Sequence, residues 1–286
     1  MRSLIAALLL TPTVVGTQAI EEITFTVYEP AMGQEWREMG SIESESTYRV
    51  DIGGELQEES TSSLSEFETS FSITRVDGSE LRELTVHYVL DRTTTQVRDG
   101  SGQLEVSALE GNTYLVGLSS GPPAVHRPDG TAPPQAEVDL VVDSLAHLAK
   151  PRRLSEYLAS LGPVGVGATI TLPPSIVRDA WSSDLFLAEE VILKLDRIIV
   201  SAGDSVGVFD AAMRLANPPG SPVSIDARVR GTMWVHGKGG RIIKSRLVGP
   251  IMLDGEWGDD PRIRIEGNGL VESAHEITEG PEASRR

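Results

Sequence analysis

In Val223-Ser224-Ile225-Asp226-Ala227-Arg228-Val229-Arg230-Gly231-Thr232-Met233-Trp234-Val235-His236, every second residue from Val223 to Val235 is apolar or glycine, and the residues between are mostly polar or charged. A two-residue period is the signature of a β-strand with one buried and one wet face. Strands of a parallel sheet, covered on both sides, read instead as unbroken apolar runs, so the alternation predicts an antiparallel sheet. Gly237-Lys238-Gly239-Gly240 then turns the chain. Residues 241–253 bring Ile243, Leu247, Ile251 and Leu253 to one face, and residues 262–271 repeat the pattern with Ile263, Ile265 and Val271. Three consecutive long strands make a meander.

The same period extends upstream. Phe67, Phe71 and Ile73 precede Asp77-Gly78, and Val86, Tyr88 and Leu90 follow it; Asp-Gly between alternating runs predicts a hairpin. Asp99-Gly100 and Glu110-Gly111-Asn112 mark turns around shorter strands at 104–109 and 114–118. Residues 43–68 are mainly Ser, Thr and Glu, which predicts an exposed strand pair or loop. Residues 121–134 carry five prolines. In 136–150, Val138, Val141, Val142, Leu145 and Leu148 recur at three- and four-residue spacing, a helical face. Pro151 restarts the chain, and Leu154, Tyr157, Leu158 and Leu161 continue helical spacing up to Gly162-Pro163. Strands resume with Val191, Leu193 and Leu195, then Phe209, Ala211, Met213 and Leu215.

The pattern predicts an α+β fold, a mainly antiparallel, curved, half-barrel-like sheet packed on one or two central helices, with strands of both halves resting on the helix around Val138 to Leu148. Residues 20–277 are expected to form one β-rich domain. It would comprise N-terminal strands 20–120, a Pro-rich linker 121–134, helices 135–161 and the meander within 185–272, followed by a disordered tail 278–286. Two β domains joined by residues 121–162 are the alternative.

Arg2, an apolar run from Leu4 to Leu10, Pro12 and the small-residue site Thr17-Gln18-Ala19 read as a secretory signal peptide over residues 1–19, cleaved after Ala19. A buried N-terminal helix or strand is the other reading. Without cysteine there is neither a disulfide framework nor a lipid-modified N-terminus. No later stretch reaches the roughly 18 apolar residues of a membrane span, so the remainder is expected to be soluble, in the periplasm or outside the cell. The formal charge of −17 excludes general nucleic-acid binding, which needs an excess of Lys and Arg. Residues 20–150 hold 24 acidic and 8 basic side chains, whereas 223–271 hold 6 and 8. Arg228, Arg230, Lys244, Arg246, Arg262 and Arg264 have, or adjoin, the polar phase of the meander. They predict either a solvated face or a docking surface for the acidic N-terminal half or an anionic partner.

No constellation points to catalysis. His147 follows Asp143 and Ser144 on the predicted helix, but a triad draws nucleophile, base and carboxylate from separate elements. Asp139, Asp143 and His147 form an i, i+4, i+8 stripe whose ends lie roughly 12 Å apart at 1.5 Å rise per residue, too far for one metal. His126 and Asp129 read as loop residues, His87 and His236 as half-exposed strand residues, and His275 as part of the last strand or the tail. Gly162-Pro163-Val164-Gly165-Val166-Gly167 lacks the Lys-Ser/Thr of a phosphate loop. The sequence therefore assigns no catalytic, cofactor or metal-binding residue, and it names no ligand-binding residue and sets no oligomeric state.

Arg230-Gly231-Thr232-Met233-Trp234, the turn Gly239-Gly240-Arg241-Ile242 and Leu247-Val248-Gly249-Pro250-Ile251 resemble the C-terminal hairpin of exported bacterial β-rich proteins of unknown function. The stretch from Gly162-Pro163-Val164-Gly165-Val166-Gly167 to Trp181 is similar to the loop that often precedes it. Together these fall within residues 162–251, about a third of the chain. Some such proteins resemble the LolA/LppX-like half-barrels, a resemblance that implies binding of an acyl chain or a lipoprotein. The expected function is an exported, non-catalytic binding protein holding an apolar or acyl ligand between sheet and helix. A structural or partner-docking envelope protein without a small ligand is the second reading, and a carboxylate-based hydrolase the third.

Overall fold

The computed structural model describes residues 21–97, 101–118, 123–145, 151–181, 187–201, 203–217, 221, 223–257 and 263–280. The expected signal peptide, His147 and Arg262 lie outside the described residues. In chain order the elements are β1 (Glu22–Ile23), β2 (Glu35–Ile52), β3 (Glu55–Asp77), β4 (Glu80–Val97), β5 (Gly102–Val106), β6 (Thr113–Gly117) and β7 (Ala124–His126); then α1 (Gln135–Ser144), α2 (Pro151–Ser160), β8 (Val164–Gly165), β9 (Thr169–Thr171) and α3 (Pro174–Trp181); and finally β10 (Leu187–Ser201), β11 (Asp204–Ala216), β12 (Val223–His236), β13 (Ile242–Trp257) and β14 (Ile263–Glu279). Period-2 patterning thus becomes unusually long strands, up to the 23 residues of β3.

One antiparallel sheet contains almost all of them, in the order β7-β6-β4-β3-β2-β14-β13-β12-β11-β10-β9, with β5 on β4 and a separate β1–β8 pair. The sheet is mainly a run of hairpins, and its one long-range join is β14 against β2, from Ile263 opposite Ile52 to Glu279 opposite Trp36. That join fuses the N- and C-terminal strands into one sheet, and among the described residues its end strands β7 and β9 do not pair, so the sheet does not close into a barrel.

Two hydrophobic cores sit on one face. Ile23, Phe25, Leu158, Val177, Leu193, Phe209 and Met233 centre the first, where β1, α2 and α3 cover β9–β13. The second joins Val141 of α1 and Leu145 at its C-cap to Leu84, Val86, Tyr88, Tyr114 and Val116. The C-terminal strands therefore rest on α2 and α3 and the N-terminal strands on α1, which corrects the expectation that both halves share the α1 helix. The physical reason is size: the apolar stripe of a ten-residue helix spans about 15 Å along its axis, too short to cover an eleven-strand path.

Three further details differ from the sequence reading. Residues 124–126, inside the expected linker, form edge strand β7 on β6. Helix α3 has only two turns, with Pro174 at its start, and its apolar spacing is too brief to stand out from neighbouring strands. Strand β14 continues to Glu279, and Gly280 N–H donates to Glu35 O at 3.0 Å, so two residues of the expected tail are strand.

Candidate functional site

The face carrying both cores is the inner face of a bent sheet, and three glycines mark the bend. Gly231, Gly249 and Gly269 share the inward phase of β12, β13 and β14, each displaced along its strand from the one before. A Cβ at Gly231 would lie 2.0 Å from Arg246 O, one at Gly249 2.0 Å from Arg228 O, and one at Gly269 2.0 Å from Glu45 O. Neighbouring backbone closes over these positions on the inner side, so only hydrogen fits. Such a diagonal of glycines lets a sheet curl sharply toward one face.

Beyond the bend the inner face is aliphatic. Ile225 lies opposite Leu253, and Ala227 opposite Ile251; Ile265 of β14 lies opposite Val50 of β2. Ile225, Ile251, Leu253, Ile263, Ile265 and Val50 are half-buried, although they belong to neither core. The alternate positions Arg264 and Glu266 are exposed. Curvature explains the difference, because inward side chains on a concave face shield one another. The result is an aliphatic surface continuous with the first core and uncovered by α2 or α3.

A polar cluster occupies the seam between the cores. Trp36 stacks on Phe71 with ring centroids 4.8 Å apart, and its Nε1–H donates to Glu38 Oε1 at 2.9 Å. Glu38 is buried, with Oε2 3.9 Å from His275 Nε2. Arg241 lies between the rings of Tyr28 and Trp36, 5.0 and 5.1 Å from their centroids, with Nη1 3.8 Å from Glu279 Oε1. Burial pushes the Tyr28 phenol above its ordinary value, against the opposing pull of the Arg241 charge. Through Arg241, Glu38 and Glu279 the cluster ties the segment after β1 and the turn before β13 to β2 and β14. The sequence reading left His275 between strand and tail. Its signal was available, since Ile263, Ile265, Val271, His275 and Ile277 share one phase of β14.

The other singled-out residues act as braces. Ser144 Oγ hydrogen-bonds with the Tyr88 hydroxyl and donates to Val141 O. Tyr114 O–H donates to Glu137 Oε2 at 2.7 Å, and Arg127 Nη2 reaches the same carboxylate at 2.8 Å, fixing α1 to the sheet. Burial raises the Tyr88 phenol to about 12 and raises that of Tyr114 as well. Asp139 accepts from Gln135 within α1. Asp129 accepts from Thr131 N and Oγ1, bonds that hold its carboxyl below the ordinary range. His87 Nδ1 lies 3.0 Å from Thr113 Oγ1, and His236 Nδ1 lies 2.8 Å from Lys238 O. His126 borders an open depression of about 860 Å³ beside β6 and β7, with Arg82, Leu115 and Leu118. A second depression, of about 490 Å³, is lined largely by the hydroxyls and amides of β2, β3, β4 and β14. Among the described residues, no three His, Asp or Glu side chains converge as a metal site, and no helix is long and apolar enough to cross a membrane.

The expected basic face is present. Arg228, Arg230, Lys244, Arg246 and Arg264 are exposed on the outer face. The acidic N-terminal half reaches it edge to edge through the β2–β14 ladder. Lys244 and Arg246 pair with Glu276 and Glu272 of β14, each at 2.8 Å.

No family model and no curated protein matches this sequence. Solved structures similar in outline include lipovitellin, in a structure described as showing lipid–protein interactions, at 10% identity and a TM-score of 0.37 over 90% of this chain. This chain spans about a quarter of the lipovitellin chain, 26% of its length. The Pseudomonas aeruginosa protein OccK2 (OpdF) matches at 8% identity and a TM-score of 0.24, covering 85% of this chain and 98% of that one. A DUF1329 family protein from Desulfovibrio piger matches at 7% identity and a TM-score of 0.14, covering 86% of this chain and 87% of that one. At such scores none of these neighbours fixes what this chain binds. The described residues form a curved, mainly antiparallel open sheet with two cores and an aliphatic inner face extending past its helices.

Proposed function

We propose that this chain is an exported, non-catalytic binding protein that holds an apolar chain, an acyl group in the simplest case, against the inner face of its sheet. The observation that carries this reading is the half-buried aliphatic surface of Ile225, Ile251, Leu253, Ile263, Ile265 and Val50, which runs out from under the helices. These aliphatic side chains, with Tyr48 beside Val50 on the same phase of β2, suit a flexible hydrocarbon better than a sugar or base, which bind by stacking and by convergent polar groups. Export rests on the n-region, apolar run and small-residue site of residues 1–19.

The test is native mass spectrometry of protein purified from the periplasm of its own host, followed by solvent extraction. The expected result is an adduct mass that disappears on extraction and is recovered as an acyl-containing lipid. A clean apo mass with no extractable lipid overturns the reading. The second reading, a partner-docking envelope protein, draws on a different surface, the charged outer face.

A further inference from the structure

On the concave side, the aliphatic surface gives way to hydroxyls at the bend. Across one row of the sheet, Ile251 lies opposite Gly269, Gly269 opposite Ser46, and Ser46 opposite Thr61. In the next row Val271, Ser44, Ser63 and Thr95 follow one another. Ser65 and Thr93 continue the block one row on, with their hydroxyls 2.9 Å apart, as those of Ser46 and Thr61 are at 3.1 Å. Ile42 and Val97 are its apolar members. Ser44 and Ser46 are half-buried, whereas Glu43, Glu45 and Arg49, on the outward phase of the same strand, are exposed. Charge is sorted by face as well. In residues 40–52, 55–67, 91–97, 223–233, 244–257 and 263–275, every Lys and Arg, from Arg49 to Arg264, has the outward phase. The charged inward positions there are the carboxylates Glu55, Glu59 and Asp91, beside the imidazole of His275. A merely solvated face would carry both signs, as the outer side of these strands does.

We propose that the molecule held on this face is an amphiphile with an uncharged, hydroxyl-bearing head, its acyl chain on Ile225, Ile251, Leu253 and Ile265 and its head on the hydroxyls of β2 and β3. The inference rests on the acyl-chain reading above and adds the chemistry of the head. Ile251 and Ser46 are two strand spacings apart, about 10 Å, so a head joined directly to the chain reaches the hydroxyls while the chain stays on the aliphatic rows. A hydroxyl both donates and accepts, so Ser46 and Thr61, sharing one hydrogen bond, keep capacity for an alcohol or ester oxygen. Ser and Thr are also short, and on a concave face they leave depth that Lys or Glu would fill. An anionic head on this block would meet no Lys or Arg and would lie between Glu59 and Asp91, a partly desolvated charge without a partner. A cationic head would find carboxylates only at the two ends of the block, and Glu59 already accepts from the Tyr48 O–H at 3.0 Å. A glycerol and a sugar share the required chemistry.

Equilibrium dialysis of the full chain against four probes that share a twelve-carbon chain tests this, each kept below its micelle concentration: 1-monolauroylglycerol, dodecyl maltoside, laurate and dodecyltrimethylammonium. The glycerol probe or the sugar probe should bind roughly tenfold more tightly than either ion, and the one that leads identifies the source of the hydroxyls. Ser46→Ala combined with Thr61→Val should weaken the leading probe about tenfold, the effect of two lost hydrogen bonds, and leave laurate unchanged, since laurate engages the aliphatic rows alone. Ser46→Arg should raise laurate affinity, a gain that misfolding cannot produce. Ile251→Glu should weaken all four probes. If no probe binds, or if Ile251→Glu leaves binding intact, the acyl-chain reading fails and this inference with it. If all four bind alike, the acyl-chain reading stands and the head assignment is overturned. It is overturned equally if an ion binds most tightly, if the double variant weakens laurate as much as the uncharged probes, or if Ser46→Arg leaves laurate binding unchanged.

Discussion

Gly249 lies between Arg228 and Val229 of β12 on one side and Val271 of β14 on the other, and a methyl group there would overlap the Arg228 carbonyl. The overlap is with backbone, which cannot swing aside as a side-chain tip can, so Gly249→Ala should destabilise the fold by about 3 kcal/mol, the upper range for overpacking. Gly102→Ala is the control, since its Cβ would meet nothing nearer than 3.8 Å; a change within about 0.5 kcal/mol is expected there, as for an ordinary surface substitution. Urea denaturation of the two variants checks both, and equal small losses would show that the bend does not depend on this line. Tyr88 sets a pH limit by burial. Its phenol ionises near the ordinary value of 10.0 in the unfolded chain and at about 12 in the fold. Below pH 10 both states hold the proton and stability is unaffected. Between pH 10 and 12 the unfolded state alone releases it, so stability falls with rising pH by up to about 1.4 kcal/mol per unit for this group. Tyr88→Phe should flatten that part of the alkaline denaturation curve, and an unchanged slope would mean that the phenol ionises freely.

At the scale of elements, the long strands have unequal support. The halves of β2, β3 and β4 next to α1 are held by buried residues such as Trp36, Phe71 and Leu84, whereas the β2–β3 turn at Gly53-Gly54 and the strand β5 are exposed throughout. Amide exchange should therefore be slow at Phe71, Leu84 and Val86 and fast at 51–57 and 102–106, because local opening costs least where few apolar contacts are lost. Uniform protection along β3 would contradict this. Element type was legible in the sequence wherever alternation was long, as in β12, β13 and β14. It was less legible in β2 and the first half of β3, where Ser, Thr and Glu occupy both faces and only backbone pairing defines the strand. The short α3 and β7 have too few residues for a period, and tertiary contacts decide their form. Of the candidate site, the aliphatic phase of 223–235, 241–253 and 262–271 was readable. The seam cluster was not, because Trp36, Arg241 and His275 are remote in sequence and meet only through the β2–β14 ladder.

At the scale of the whole molecule, that ladder pairs the two halves independently of the chain segment that links them. A protease site inserted after Gly130, in the exposed turn before α1, should yield a nicked protein whose fragments co-elute in gel filtration and part only in denaturant. The N-terminal fragment keeps β2 and the C-terminal fragment keeps β14, paired from Ile52–Ile263 to Trp36–Glu279. Fragments that elute separately without denaturant would mean that the halves are independent bodies. By itself the sequence determined that the sheet is antiparallel and one-sided, because side-chain alternation is a local consequence of strand geometry, and it placed the charge asymmetry and two of the three helices among the described residues. Only the tertiary structure decided that β14 pairs with β2, that the sheet bends at Gly231, Gly249 and Gly269, and that the inward hydroxyls of β2 and β3 lie beside the aliphatic residues of β13 and β14. Strand order and curvature depend on contacts between residues far apart in the chain, and a one-dimensional period holds no information about which strands become neighbours.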